Sequence, residues 1–129
     1  MAGTFKFELV SPERILLSAD AEQVVVPGAE GDFTVLAGHA PVVSTLRPGV
    51  IEATVGGARK RLFVKGGFAE VEPDRLTVLA ERALDIEQTD SAALAAELEA
   101  ARKDLETAVG DQARKFAHDA VDRLQSLHR

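Results

Sequence analysis

The hydrophobic pattern of the chain changes its period once, near residue 88, and that change decides what the sequence can fold into. Before it, apolar residues recur at every second position in short segments cut by turn residues, as half-buried strands require. In TFKFELV, Phe5, Phe7 and Leu9 fall on one face while Lys6 and Glu8 fall on the other. VIEATV and RKRLFVK flank Gly56-Gly57, a pair that accepts the positive φ of a tight hairpin turn. A second hairpin is predicted where FAEVE (68–72) and RLTVLA (75–80) meet across Pro73-Asp74, because proline presets φ for a turn. Nine of the 10 glycines and all five prolines precede residue 88, so the punctuation that many short strands need is confined to this part. An antiparallel β-sandwich over residues 1–87 is predicted.

From Thr89 the period becomes 3.6. Leu94, Leu98, Ala101, Leu105 and Val109 form one stripe, with Glu97, Glu99, Lys103 and Glu106 elsewhere on the helix. Thr89 or Asp90 can cap its free N–H groups, and Gly110 followed by Asp111 predicts a stop and a new start. Ala113, Phe116, Ala120, Leu124 and Leu127 make a second stripe, so residues 88–129 read as an antiparallel two-helix hairpin. A hairpin of roughly 40 residues is too small to fold unaided and must pack on the sandwich or on another chain.

Composition narrows the function. At 129 residues and 46% hydrophobic the chain can bury a core, and without cysteine it can hold neither a disulfide nor a thiolate metal site. A net charge of -6 is the wrong sign for a phosphate backbone, and the absence of Trp and Tyr removes stacking platforms, so nucleic acid is not an expected partner. Residues 1–17 lack the basic start and apolar run of a secretion signal, and nowhere do eighteen apolar residues run together; neither secretion nor a membrane span is expected.

Catalytic patterns are missing from the sequence. No GxSxG, HExxH, GxGxxG or GxxxxGK[ST] occurs. His39, His118 and His128 are the only histidines; no two are spaced i, i+4, so no metal site and no cofactor is expected, and His118 and His128 read as the polar side of the last helix. Glu30 and Asp32 have no base to work with and read as a solvated loop. Arg59, Lys60 and Arg61 read as charges that keep a sheet edge from pairing with another chain.

The most informative stretch is Val24 to Gly49, VVVPGAEGDFTVLAGHAPVVSTLRPG, where glycine and proline set the backbone of several loops. It resembles the epsilon subunits of F-type ATP synthases, which carry V-x-x-P-G-x-x-G, then P-G-H-A-P, then L-x-P-G. Gly38-His39-Ala40-Pro41 and Leu46-Arg47-Pro48-Gly49 match, and Ala37 replaces the usual proline. VKGGFAEVE, LTVLAERA and the helical hairpin follow in family order, so the likeness spans the chain.

The resemblance implies a β-sandwich with a C-terminal hairpin, working as a non-catalytic rotor subunit of the central stalk. It would join the gamma subunit to the c ring and couple proton flow to ATP synthesis, on the cytoplasmic face of the bacterial inner membrane and held there only through the complex. By position, the Glu30-Gly31-Asp32 loop is expected to face the c ring and His39 to lie near gamma. In this family the hairpin can dock on the sandwich or extend along gamma, touching the catalytic alpha/beta head transiently and inhibiting ATP hydrolysis. Here Arg114, Lys115, Arg123 and Arg129 stand against Asp111, Asp119 and Asp122, a small positive balance from which strong inhibition is not expected. Some members bind ATP through I-D-x-x-R-A and arginines of the last helix, which makes a small-ligand sensor the alternative reading. Glu81, Ile86, Glu87 and Arg123 match that pattern, but Asp90-Ser91 stands where Arg-Ala is expected and puts a carboxylate near the phosphates.

Overall fold

The structure, a computed structural model, describes residues 3–127; His128 and Arg129, assigned above to the last helix, lie outside the described residues. The chain divides into two compact units, Met1–Asp85 and Ile86–Arg129.

The first unit is a sandwich of two five-stranded sheets. One holds β1 (Phe5–Val10), β2 (Ile15–Ala21), β5 (Val42–Thr45), β8 (Gly67–Glu72) and β9 (Arg75–Ala80), in the order β2-β1-β9-β8-β5. The other holds β3 (Gln23–Gly28), β4 (Gly31–Val35), β6 (Gly49–Val55), β7 (Ala58–Val64) and β10 (Ala83–Asp85), in the order β10-β7-β6-β3-β4. The alternation in β1 is realised: Phe5, Phe7 and Leu9 are buried, and they meet Val24, Val26, Ile51, Leu62, Val71, Leu76 and Val78 in one core. Both hairpins form as predicted. Val55 pairs with Ala58 across Gly56 (φ 58) and Gly57 (φ 79), the positive pair that a twisted two-residue turn demands. Glu72 pairs with Arg75 across Pro73-Asp74.

Strand pairing holds one feature that local pattern does not give. β1 pairs in parallel with β9, Phe7 opposite Leu76 and Leu9 opposite Val78, whereas every other described strand pair is antiparallel. A parallel pair needs a long connection, and here seven strands intervene, so the sheet closes only when the two ends of the unit meet. The basic run occupies the expected kind of edge, but only in part. β10 covers β7 at Leu62–Val64 and, among the described residues, leaves the Arg59–Arg61 stretch without a strand on that side.

The second unit contains α1 (Ser91–Thr107) and α2 (Asp111–Leu127). Asp90 is the cap, its Oδ1 accepting the Ala93 N–H at 2.8 Å. Asp90→Ala is expected to cost the unit about 1 kcal/mol, read as an earlier urea midpoint of the far-UV circular dichroism signal; an unchanged midpoint would remove the cap from the account.

Two details of the helical reading are corrected. α1 ends at Thr107, short of Gly110. The Thr107 hydroxyl bonds back to the carbonyls of Lys103 and Asp104 at 3.2 and 3.3 Å, and Ala108 turns extended, φ -64 and ψ 134. Val109 therefore leaves the stripe and is 88% exposed. On α2 the buried positions are Ala117, Ala120, Val121 and Leu124; Ala113, in the first turn, is exposed, and Phe116 is half-buried. Of the suggested stripe, Ala120 and Leu124 are buried and Leu127 is half-buried, while Ala117 and Val121 take the places expected of Ala113 and Phe116.

Candidate functional site

The Val24–Gly49 stretch builds a fastened corner of the sandwich. β3 and β4 pair down to Gly28 opposite Gly31, leaving Ala29-Glu30 as the turn. Neither turn residue has positive φ, and Gly31 takes the bend at φ 138. Gly28 has no room for a side chain: a Cβ would lie 2.8 Å from the Gly31 carbonyl oxygen and 3.0 Å from the Phe33 ring. The chain leaving β5 then crosses to the second sheet alongside this turn. Ala29 N–H donates to Thr45 O at 2.9 Å, Arg47 N–H donates to Pro27 O at 3.1 Å, and Gly28 bridges Leu46.

Arg47 completes the corner. Its guanidinium donates from Nη1 to the Gly28 carbonyl and from Nη2 to Asp32 Oδ1, each at 2.5 Å. Nothing in the local sequence marked Arg47 as a functional residue; the only available signal was a charged side chain set between Leu46 and Pro48-Gly49 in a run of backbone-defining residues.

Of the residues expected to meet partners, Glu30, Gly31 and Asp32 are exposed and His39 is half-buried. The fold brings all four together on one open cleft of about 630 Å³, whose other lining includes Phe33 and the β5 edge. His39 is held in the loop between the sheets: its ring centroid lies 6.5 Å from that of Phe33, and Nδ1–H donates to Ala40 O at 2.7 Å, since a carbonyl can only accept. Gly38, at φ 83, anchors that loop by donating its N–H to Pro73 O at 2.7 Å. The residues matched to a nucleotide motif divide between the units: Glu81 belongs to the first, and Ile86, Glu87 and Arg123 to the second.

Register exposes a second surface that sequence periodicity alone does not give. Across the outer face of the first sheet, Thr45 stands opposite Phe68, Phe68 opposite Leu79, Leu79 opposite Val10 and Val10 opposite Ile15. Four of these five are apolar, with Ile15 60%, Phe68 41% and Leu79 39% exposed. The next row, Val43, Glu70, Thr77, Glu8 and Ser18, is mainly polar. An apolar row with a polar border on the outside of a sandwich is the composition of an interaction face. It adjoins the acidic turn, because Thr45, which ends the row, accepts the Ala29 N–H.

The fold corresponds to a known class. The family model described as the β-sandwich domain of the ATP synthase delta/epsilon chain matches residues 4–86. The ATP synthase epsilon chain of Parvibaculum lavamentivorans is 51% identical over 128 residues, 98% of this chain and 97% of the relative. That of Mesorhizobium japonicum is 48% identical, over 98% of this chain and 95% of the relative. A chain in the Euglena gracilis mitochondrial ATP synthase, solved as OSCP/F1/c-ring, superposes with a TM-score of 0.71 at 26% identity, covering 96% of this chain and 79% of its own. A chain of the Tetrahymena thermophila mitochondrial central stalk/c-ring structure shares the fold, with a TM-score of 0.66 at 12% identity over 99% and 98%. The chain belongs to the ATP synthase epsilon chain family.

Proposed function

We propose that this protein is a non-catalytic rotor subunit in the central stalk of an F-type proton-translocating ATP synthase. It joins gamma to the c ring and helps couple proton flow to ATP synthesis, as a peripheral component on the cytoplasmic face of the bacterial inner membrane. The observation that carries the reading is the apolar row on the outer sheet face running into the acidic Glu30-Gly31-Asp32 turn at one corner of the sandwich. Two adjoining surfaces of different chemistry suit a part that sits between two partners. The names of the relatives and the c-ring assembly of the Euglena structure support the same reading. No helix of the described residues is long and apolar enough to cross a membrane.

In this arrangement gamma covers the apolar row and the neighbouring His39 loop, and the turn meets polar loops of the c ring. Reversing both turn charges, Glu30→Lys with Asp32→Lys, is expected to weaken coupling severalfold, since each exposed pair contributes only about 0 to 1 kcal/mol and reversal turns attraction into repulsion. ATP-driven proton pumping by the reconstituted complex measures it. Pumping equal to that of the unaltered complex would remove the turn from the c-ring contact.

A further inference from the structure

We infer that Arg47 is a positioning residue: it locks the β3–β4 turn and neutralises Asp32, leaving Glu30 as the turn's one uncompensated charge. The inference rests on the proposed c-ring contact and divides its work between two carboxylates that the sequence treats alike.

The geometry is asymmetric. Asp32 is the residue after the bend and its carboxylate is held by Arg47, whereas Glu30, at the tip, is exposed and makes no hydrogen bond or ion pair among the described residues. The ion pair alone would hold little, because the Arg47 side chain is 37% exposed and that of Asp32 59%, and exposed pairs are screened by water and salt. Its strength comes from the second donor. The same guanidinium donates to the part-buried carbonyl of Gly28, two flat N–H groups engaging both strands of the hairpin at once, a geometry that lysine cannot reproduce with one ammonium.

Backbone bonds of Ala29 to Thr45 and of Arg47 to Pro27 fasten the same turn to the crossover. Pro27, Gly28, Ala29 and Asp32 are thus all tied to residues 45–47, while Glu30 projects from a fixed base. A rigid tip presents its charge with little ordering left to do on contact, and a neutralised Asp32 offers a partner no second anion. The recognised partner group is accordingly a single cation or hydrogen-bond donor facing Glu30.

The test uses the full chain and then the assembled complex. In the isolated chain, Arg47→Gln is expected to speed amide exchange of the Ala29 N–H about tenfold while amides of β1 and β9 keep their rates, with Arg47→Lys in between. Unchanged exchange at Ala29 would overturn the clasp. In the reconstituted complex, Glu30→Gln is expected to lower proton pumping severalfold more than Asp32→Asn, which keeps an oxygen acceptor for Arg47. Equal loss from both would overturn the division of roles. Loss from neither, with Ala29 exchange raised in Arg47→Gln, would sink the c-ring assignment and leave the clasp standing.

Discussion

Replacing Gly67 by alanine is expected to remove roughly 3 kcal/mol or more of the sandwich's stability. Gly67 opens β8 at φ 117, in backbone space that side chains avoid, and a Cβ there would stand 2.0 Å from the Leu79 carbonyl oxygen and 2.9 Å from the Ala80 Cα. Those atoms are backbone of the neighbouring strand and cannot swing aside as a side chain could. Relief requires β8 to move away from β9, which breaks the Gly67–Ala80 pair and pulls on the bond from Leu46 N–H to Gly67 O, 3.0 Å in the native corner. Against a typical domain stability of about 5 to 15 kcal/mol this is a large share. Gly56→Asn is the comparison: φ is 58, a Cβ has open space, and asparagine tolerates that conformation, so a cost under about 1 kcal/mol is expected. Urea unfolding of the two variants decides. Equal midpoints would show that the close approach at Gly67 is not what fixes β8.

The difference between those glycines also shows what the sequence could disclose. Gly56-Gly57 was legible because both the turn and its reason are local: two residues between two alternating segments leave only a positive-φ hairpin. Phe5, Phe7 and Leu9 were legible because period 2 is written along a single strand. The crowding at Gly67 comes from Leu79, and the parallel partner of β1 is set by residues some seventy positions away, so neither leaves a local mark. The site divides in the same way. The acidic turn and His39 could be found by their motifs, but their meeting on one cleft depends on the crossover after β5, and Arg47 acquires its role only when that crossover brings it against Gly28 and Asp32. The apolar row is the clearest case. Ile15, Val10, Leu79 and Phe68 come from four strands, and each alone is an ordinary exposed apolar residue; the register makes them a surface. At the end of α1 the failure was of another kind, since Val109 fits the helical period but the Thr107 hydroxyl had already closed the last turn.

That row supplies the second large effect. Phe68→Glu with Leu79→Glu is expected to weaken association with gamma about 100-fold or more, while the sandwich stays folded. Phe68 and Leu79 are paired neighbours near the middle of the row, where interface residues are most fully desolvated once a partner sits on them. Truncating such a residue costs 2 kcal/mol or more at a hot spot, and a carboxylate left without a partner in the contact adds the penalty of a dehydrated charge, so about 2.8 kcal/mol, the equivalent of 100-fold, is a modest expectation for the pair. The fold should tolerate the change because both side chains point away from the core, and Glu8 and Glu70 already occupy the adjoining row of the same face. Partial exposure, 41% and 39%, means that some packing is lost as well, so a shift of about 1 kcal/mol in urea stability is the expected background. Titration calorimetry of gamma with the full chain separates the two quantities. Unweakened binding by a folded double variant would show that gamma does not cover this face, whereas loss of binding with the urea midpoint nearly kept places the contact on the row that β1, β2, β8 and β9 assemble.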